Sequence, residues 1–270
     1  MGDGRDQGSA ANLAWWQEAA TLHAGSELYD LDGLRSGRDV MRPHEVVEIG
    51  EVSGRDLVHL QCHIGTDTLA WARRGARTVG LDFSSNALEV AGRLAAGCGV
   101  DIEFVRADVY DAPEALGHRR FDIVYTGIGA LNWLADLPGW AQVVEQLLRP
   151  GGTLYLSEIH PLVQGLSEDG RTLARDILHA GYEANTMPGG TYAVPDAEMV
   201  NQVTFERVHA IGEVLTAVLD AGLSVDHFAE QHYTNAPWPW TVRGDDGFFR
   251  LPDGWSRYPL TYSLRARKPG

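Results

Sequence analysis

The amino-acid sequence predicts a doubly wound α/β fold, in which helices cover both faces of a mostly parallel sheet. Residues 57–82 read as a short apolar strand, a tight turn, a helix and a second strand. Further strands follow at residues 101–105, 121–127 and 153–157, with helical segments between them. This alternation is typical of βαβ units and parallel sheets. A chain of 270 residues accommodates one such domain with an insertion and a terminal extension.

The first βαβ unit gives the strongest signal. Its first strand covers residues 57–60, and the turn over residues 61–65 leads to a helix that Thr66 or Asp67 can cap. Gly75 ends the helix, and Asp82 stands at the carboxyl end of the second strand. A carboxylate at that place accepts hydrogen bonds from both hydroxyls of a ribose, so we expect a ribose-containing ligand.

The later elements extend this pattern to a complete sheet. The strand at 101–105 leads to Asp108, a second acid near the same edge, which can accept the amino group of an adenine. The strand at 121–127 is followed by a helix around 140–148, and residues 149–152 turn into the strand at 153–157. A helix over 210–221, ended by Gly222, and strands at 224–230 and 260–267 close the sheet.

This succession resembles the class I methyltransferases that use S-adenosylmethionine. An acid ends strand two, an Asp ends strand three, FDIV begins strand four, and LRPGG precedes strand five. The run LQCHIGTDTLAWARRGA looks like a variant from a bacterial small-molecule or natural-product subgroup. The resemblance implies a Rossmann-like, seven-stranded sheet with an antiparallel C-terminal strand, an N-terminal helical lid and an insertion after strand five. It also implies S-adenosylmethionine as cofactor and S-adenosylhomocysteine as product.

One part of the pattern departs from the family. Its first loop reads roughly D-x-G-x-G-x-G, whereas this chain has His59, Gln61, His63 and Gly65 at the corresponding positions. Only the last glycine is retained. Gln61 or His63 either contacts the methionine part of the cofactor or braces the turn, and the sequence leaves both interpretations open.

The resemblance and the positions of the polar residues define the candidate site. The expected cofactor-binding residues are Trp16, Gln61, His63, Gly65, Asp82, Phe83, Ser84, Asp108, Val109, Thr126 and Gly127. His160, just after strand five, is the candidate general base, Glu158 can orient it or bind a cationic acceptor, and Tyr182 is a further catalytic candidate. No spacing of His and carboxylates suggests a metal site.

The predicted elements and the resemblance also divide the chain into segments. Residues 1–50 are expected to form a disordered tail of about ten residues and the helical lid, and residues 51–270 the methyltransferase core. The insertion at about 161–209 is where this family places much of its acceptor pocket. We expect four aromatic side chains to line that pocket: Tyr182, Tyr233, Trp238 and Trp240.

Composition narrows the function. A formal charge of −15 argues against a nucleic-acid partner, two cysteines are too few for a disulfide framework, and no segment has the length and apolarity of a membrane span. We therefore expect a cytoplasmic monomer or homodimer that methylates a small aromatic or natural-product metabolite on oxygen, nitrogen or an electron-rich carbon. The alternatives are an NAD-linked oxidoreductase, which should show G-x-G-x-x-G in the first turn, and a non-catalytic nucleoside-binding protein.

Overall fold

The computed structural model describes residues 3–270, with side chains from residue 7 onward. The described strands are β1 (Asp56–Leu60), β2 (Arg77–Asp82), β3 (Glu103–Arg106), β4 (Phe121–Thr126), β5 (Leu148–Ile159), β6 (Glu183–Thr186), β7 (Val203–Glu206), β8 (Ser224–Gln231), β9 (Tyr233–Thr234), β10 (Val242–Arg243), β11 (Phe249–Arg250) and β12 (Thr261–Arg267). Seven of them form the central sheet in the order β3-β2-β1-β4-β5-β12-β8. Strand β12 pairs antiparallel with both of its neighbours, and the other pairings in this sheet are parallel.

Helices cover both faces of this sheet. The described α-helices are α1 (Asp3–Ala24), α2 (Leu31–Arg35), α3 (Pro43–Ile49), α4 (Thr66–Arg73), α5 (Ser85–Gly97), α6 (Ala112–Ala115), α7 (Leu137–Leu147), α8 (Pro161–Gly165) and α9 (Ile211–Asp220). One face packs against α6, α7 and α9, where Trp140 is fully buried. The other face packs against α3, α4 and α5, where Trp71 is fully buried. The predicted doubly wound α/β class with a mostly parallel sheet is confirmed.

The strand order determines where a ligand can enter. The chain runs outward from β1 to β2 and β3, and then returns to the other side of β1 to continue through β4 and β5. Between β1 and β4 the connections therefore go in opposite directions, which opens a crevice at the carboxyl ends of these strands. Helices α4 and α5 begin at this edge, directly after β1 and β2.

The N-terminal segment differs from its sequence-based expectation. The expected tail is helical from Asp3, and its residues Met1 and Gly2 lie outside the described part of the chain. Long-range contacts hold this helix: Ser9 Oγ donates to Asp108 Oδ2 at 3.1 Å, and a Cβ on Gly8 would lie 2.5 Å from the Tyr182 ring. Contacts with distant residues thus override a local composition that disfavours a helix.

Two further expectations need correction. Residues 149–152 lie inside β5, where Gly151 has φ +76° and the pairing with β4 shifts register after Phe121. The four pocket aromatics are also separated. Tyr182 packs on Phe205, whereas Trp238 stacks on Trp240 in a separate cluster that includes Val163 of α8 and Leu260.

The insertion after β5 is tied to the N-terminal helix. It contains the hairpin of β6 and β7, and the main chain of Phe205 in β7 exchanges two hydrogen bonds with the Asn12 side chain of α1, at 2.8 and 2.9 Å. Helix α1 also packs on α5 through Gln17, whose side chain bonds Ser84 and Asn86. Within residues 3–270, no helix has the length and apolarity needed to cross a membrane.

Candidate active site

A cavity of about 50 Å³ lies at the carboxyl ends of β2 and β3. Its walls include Asp82, Phe83, Asp108 and Val109 from the sheet edge, and Tyr182 from the insertion. Ser9 and Asn12 of α1 cover it. Small-molecule sites in proteins enclose roughly 300–1,000 Å³. The cavity therefore has the composition of a nucleoside site, is smaller than such a site usually is, and is lined on one side by Ser9 and Asn12 of α1.

Asp82 is buried at the end of β2, and both of its oxygens are oriented by backbone amides. Oδ1 accepts from Ser84 N at 2.9 Å, and Oδ2 accepts from His63 N at 2.8 Å. Burial raises the pKa of Asp82 to about 6, and the hydrogen bonds from these amides oppose that shift. Each carboxylate oxygen has a second lone pair, so Asp82 can accept two more hydrogen bonds.

Asp108 faces the same cavity from the next strand end. Its Oδ1 accepts from Tyr110 N at 3.1 Å, which fixes the short turn after β3, and its Oδ2 accepts from Ser9 Oγ. Ser84 caps α5 by accepting from Ala87 N and is fully buried. The structure therefore brings several of the expected cofactor-binding residues to one cavity, among them Asp82, Phe83, Asp108 and Val109.

The loop after β1 adopts an unusual backbone conformation. Gln61 and His63 have φ values of 56° and 49°, which non-glycine residues seldom adopt. Gly65 has φ +75°, and a Cβ there would lie 2.8 Å from Ala91 Cβ, which explains why this glycine is retained. Gln61 Nε2 donates to Ala130 O at 3.0 Å, and its Oε1 has no partner within residues 3–270.

His63 joins this loop to α1. Its Nε2 lies 2.9 Å from His23 Nδ1, and its ring packs edge-on against Trp16 at 4.9 Å between centroids. The ring of Trp16 also contacts that of Trp133, at 5.1 Å between centroids, and the ring of Trp15 stacks on Trp133. The helix expected to act as a lid thus packs on the loop through a cluster of aromatic rings.

Lowering the pH should loosen α1. Burial lowers the pKa of His23 from 6.5 to about 3 and holds that of His63 well below its ordinary value. Both rings are neutral in the folded protein, but they gain protons below about pH 6.5 once α1 is released and they reach solvent. Their contribution to stability is therefore complete above that pH and is lost as the pH falls toward 3. We expect amide exchange in residues 3–24, corrected for its intrinsic pH dependence, to increase between pH 7.5 and 5. The His23→Phe variant should flatten this dependence, and a flat profile in the unmodified protein would contradict the prediction.

Glu158 has a different environment from the one expected for an orienting or acceptor-binding acid. Its buried carboxylate accepts from the amides of Gly129, Ala130, Leu131 and Ile159 at 2.6–2.9 Å. Burial raises the pKa of Glu158 to about 7, against the effect of these amides. Because no hydrogen bond joins Glu158 to His160 among the described contacts, its observed role is to hold the loop after β4.

His160 begins α8 and uses both ring nitrogens. Nδ1 accepts from Leu162 N, and Nε2 therefore donates to Glu230 Oε1, each at 3.1 Å. Burial lowers the pKa of His160, and its ring is absent from the lining of the nucleoside cavity. Tyr182 does line that cavity; burial raises its pKa to about 12, and its hydroxyl accepts from Asn12 Nδ2 at 3.1 Å. The three catalytic candidates are therefore not assembled in one place.

Sequence reasoning missed a buried polar cluster at the ends of β1 and β4. The Arg42 guanidinium contacts Glu45, Asp67 and the Tyr125 hydroxyl at 2.6–2.8 Å. Arg42 precedes α3 with an extended backbone and Glu45 lies in its first turn, so their spacing of three residues was a signal for an ion pair at the start of the helix. Thr126 lies beside the cluster with a buried hydroxyl that has no partner in the described chain.

Comparisons with known proteins agree with this geometry. Residues 58–154 match a family model described as a methyltransferase domain. The ubiquinone biosynthesis O-methyltransferase of Klebsiella pneumoniae subsp. pneumoniae is 27% identical over 199 residues, covering 69% of this chain and 78% of the relative. The S-adenosylmethionine-dependent methyltransferase of Mesorhizobium loti superposes with a TM-score of 0.56 at 21% identity, covering 88% of this chain and 100% of that one. The glycopeptide N-methyltransferase MtfA gives 0.53 at 18% identity, covering 84% and 88%.

The fold, the acids at the ends of β2 and β3 and the matched domain define the class. Residues 58–154 are a methyltransferase domain, and the chain has the class I methyltransferase fold. More specifically, it is an S-adenosylmethionine-dependent enzyme, and S-adenosylmethionine is its cofactor. These comparisons do not support an NAD-linked oxidoreductase or a non-catalytic nucleoside-binding protein.

Proposed function

We propose that the enzyme transfers a methyl group to a small aromatic acceptor, with a phenolic oxygen as the first acceptor atom to test. The observation that carries this proposal is the cluster of rings beside the cofactor loop, in which Trp16 packs between His63 and Trp133. When α1 moves, these rings present flat apolar surfaces that suit an aromatic molecule. The sequence relative from Klebsiella pneumoniae is named an O-methyltransferase, which supports oxygen.

The donor set of the cavity fits the adenosine part of the cofactor. We assign Asp82 to the ribose hydroxyls and Asp108 to the adenine amino group, because both carboxylates face one cavity walled by Phe83 and Val109. The unpartnered Gln61 Oε1 is a further acceptor beside it. Gly65 permits the turn before α4, and Ser84 fixes the beginning of α5.

The bound cofactor supplies an activated methyl group on its sulfonium. The protein's own task is to position the acceptor in line with that methyl group and to exclude water. Helix α1 and the insertion exclude water, because Ser9, Asn12 and Tyr182 close the cavity together. Glu158 contributes by holding the loop after β4 through the amides of residues 129–131.

The catalytic assignment of His160 remains a prediction, and its geometry favours a smaller effect than a general base would give. We expect His160→Ala to lower turnover tenfold or less and to destabilise the fold by about 1 kcal/mol, since the ring caps α8. His160→Asn keeps a capping side chain and is the matched control. Turnover lowered by roughly 10²- to 10⁴-fold with unchanged cofactor affinity would restore the general-base assignment.

An acceptor panel tests the proposed function. The enzyme is incubated with methyl-labelled S-adenosylmethionine and phenols, catechols, indoles, aromatic amines or aliphatic acids, and S-adenosylhomocysteine formation is measured. We expect turnover with the aromatic compounds and the largest with a phenolic hydroxyl. Transfer to nitrogen or carbon alone would correct the acceptor atom. Transfer only to aliphatic compounds, or only to protein or nucleic acid, would overturn the proposal.

A further inference from the structure

His23 of α1 has one ring nitrogen without a partner in the described chain. The residue is fully buried, and its Nδ1 lies 2.9 Å from His63 Nε2. Its Nε2 is also buried, but no hydrogen bond to it occurs within residues 3–270. A buried polar atom without a partner costs free energy unless a ligand satisfies it. The free nitrogen of His23 is therefore available to a bound molecule.

Aromatic rings from four parts of the chain surround His23. Tyr29, which follows α1, stacks on His23 at 5.2 Å between centroids, and Tyr192 of the insertion lies 4.8 Å away. Trp16 of α1 and His63 of the loop after β1 pack edge-on, at 5.9 and 5.0 Å. These five residues form the His23 ring cluster. Apolar ring faces around one free polar atom suit an aromatic molecule with a single hydrogen-bonding group.

The His23 ring cluster adjoins the cofactor site at two places. Trp133, on which Trp16 packs, lines the nucleoside cavity. His63, the partner of His23, has a main-chain amide that donates to Asp82 Oδ2 at 2.8 Å. Asp82 is assigned to the ribose, and the sulfonium sulfur is attached to the ribose through a single methylene group. An acceptor for the methyl group must therefore lie close to this part of the loop.

Tyr192 is the outermost member of the His23 ring cluster. It is 38% exposed, more than any other member, whereas His23 is 0% exposed. The Tyr192 and Tyr29 hydroxyls lie 2.5 Å apart, and this bond joins the connection after α1 to the insertion. A phenol ring of the protein itself thus packs on the His23 imidazole. A phenolic acceptor can take the same place when the Tyr192 ring moves outward.

We propose that His23 is a catalytic residue, whose Nε2 accepts the hydroxyl proton of a phenolic acceptor during methyl transfer. This inference rests on the proposed aromatic acceptor. We assign the proton between the two histidines to His23 Nδ1, which donates to His63 Nε2 and leaves a lone pair on His23 Nε2. Burial lowers the pKa of His23 to about 3, so its imidazole is neutral at pH 7 and can take up a proton.

Methyl transfer then proceeds as a direct displacement. The acceptor oxygen forms a bond to the methyl carbon while the carbon–sulfur bond breaks, with its electron pair going to sulfur. The hydroxyl proton passes to His23 Nε2, and the bond from Nδ1 shares the resulting positive charge with His63. A weak base is sufficient, because a hydroxyl oxygen that forms a third bond becomes strongly acidic.

Two phenols separate proton removal from positioning. The best phenol of the acceptor panel keeps its hydroxyl proton at about pH 8, since phenolic pKa values are about 10, whereas its nitro-substituted analogue is largely ionised there. We expect His23→Phe, which keeps a ring in the cluster, to lower turnover of the phenol roughly 10²- to 10⁴-fold. Turnover of the nitrophenol should fall less than about tenfold, because no proton has to be removed.

The matched control is His44→Phe, the same change at another histidine. His44 of α3 also has its Nδ1 in a hydrogen bond, 2.6 Å from the Tyr233 hydroxyl, and a buried Nε2 without a partner in the described residues. None of its described contacts reaches the His23 ring cluster. This variant should leave the ratio of the two turnover rates unchanged within about twofold.

A binding measurement tests the free nitrogen without any variant. With S-adenosylhomocysteine bound, the unmodified protein should bind the phenol roughly 10- to 100-fold more tightly than an analogue with a methyl group in place of the hydroxyl. The analogue leaves His23 Nε2 unpartnered, whereas the hydroxyl donates to it. His23→Phe should remove most of this difference.

Three outcomes would overturn the inference and leave the proposed function intact. They are unchanged turnover of the phenol by His23→Phe, equal losses for the phenol and the nitrophenol, and equal affinity of the unmodified protein for the phenol and its methyl analogue. Equal losses would show that His23 only packs. If the unmodified enzyme methylates no phenol, the proposed function itself is wrong, and the role of His23 falls with it.

Discussion

Replacing Asp82 with alanine should weaken S-adenosylmethionine binding by about 2–4 kcal/mol. The variant loses the carboxylate assigned to both ribose hydroxyls. It also loses the acceptor that anchors His63 N in the loop after β1, at 2.8 Å. Titration calorimetry measures the change directly. The loss should be the largest that any single substitution in the nucleoside cavity produces.

The pH dependence of cofactor binding tests the role of the Asp82 carboxylate independently. Burial raises the pKa of Asp82 to about 6, and only the ionised carboxylate can accept from both hydroxyls while retaining its bonds from His63 and Ser84. Affinity should therefore fall as the pH drops through 6, and this step should be absent in Asp82→Asn. An unchanged affinity of Asp82→Ala at pH 7.5 would contradict the assignment.

Deleting residues 1–30 should lower turnover by roughly 100-fold or more, because α1 closes the cavity and correct positioning alone can be worth that factor. Ser9 and Asn12 cover the nucleoside cavity, and Trp16 packs on the loop through His63. The central sheet should remain folded but less stable, because Trp15 is buried in the full chain. Circular dichroism measures the fold, and S-adenosylhomocysteine formation measures turnover.

A point variant separates closure from stability. Asn12→Ala keeps the helix but removes its hydrogen bonds to Phe205 and to the Tyr182 hydroxyl, so both turnover and the melting temperature should fall by less than in the truncation. A truncated enzyme with full activity would exclude a lid role for α1.

The βαβ core could be predicted because the residues that define each unit lie close together in the sequence. Apolar strands, a capped helix and the acids Asp82 and Asp108 follow one another within each unit, and the parallel topology brings the strand ends to one edge.

The remaining features depend on contacts between distant residues. Helix α1 is held by the bond from Ser9 to Asp108, 99 positions away, which a Gly- and Asp-rich start does not reveal. The separation of Tyr182 from His160 likewise follows from the path of the insertion. The cluster of Arg42 with Asp67 was missed because Arg42 precedes α3 and Asp67 lies in α4, and the two residues meet only in the folded chain.

The bond between Ser9 and Asp108 makes the enzyme a competitor of its own cofactor. The Asp108 carboxylate assigned to the adenine amino group already accepts from a hydroxyl of the same chain. If the cofactor displaces this serine, the observed affinity equals the intrinsic affinity multiplied by the fraction of molecules in which α1 has released Asp108. After methyl transfer the same serine can reclaim Asp108, which favours expulsion of the spent nucleoside and couples product release to the return of the helix.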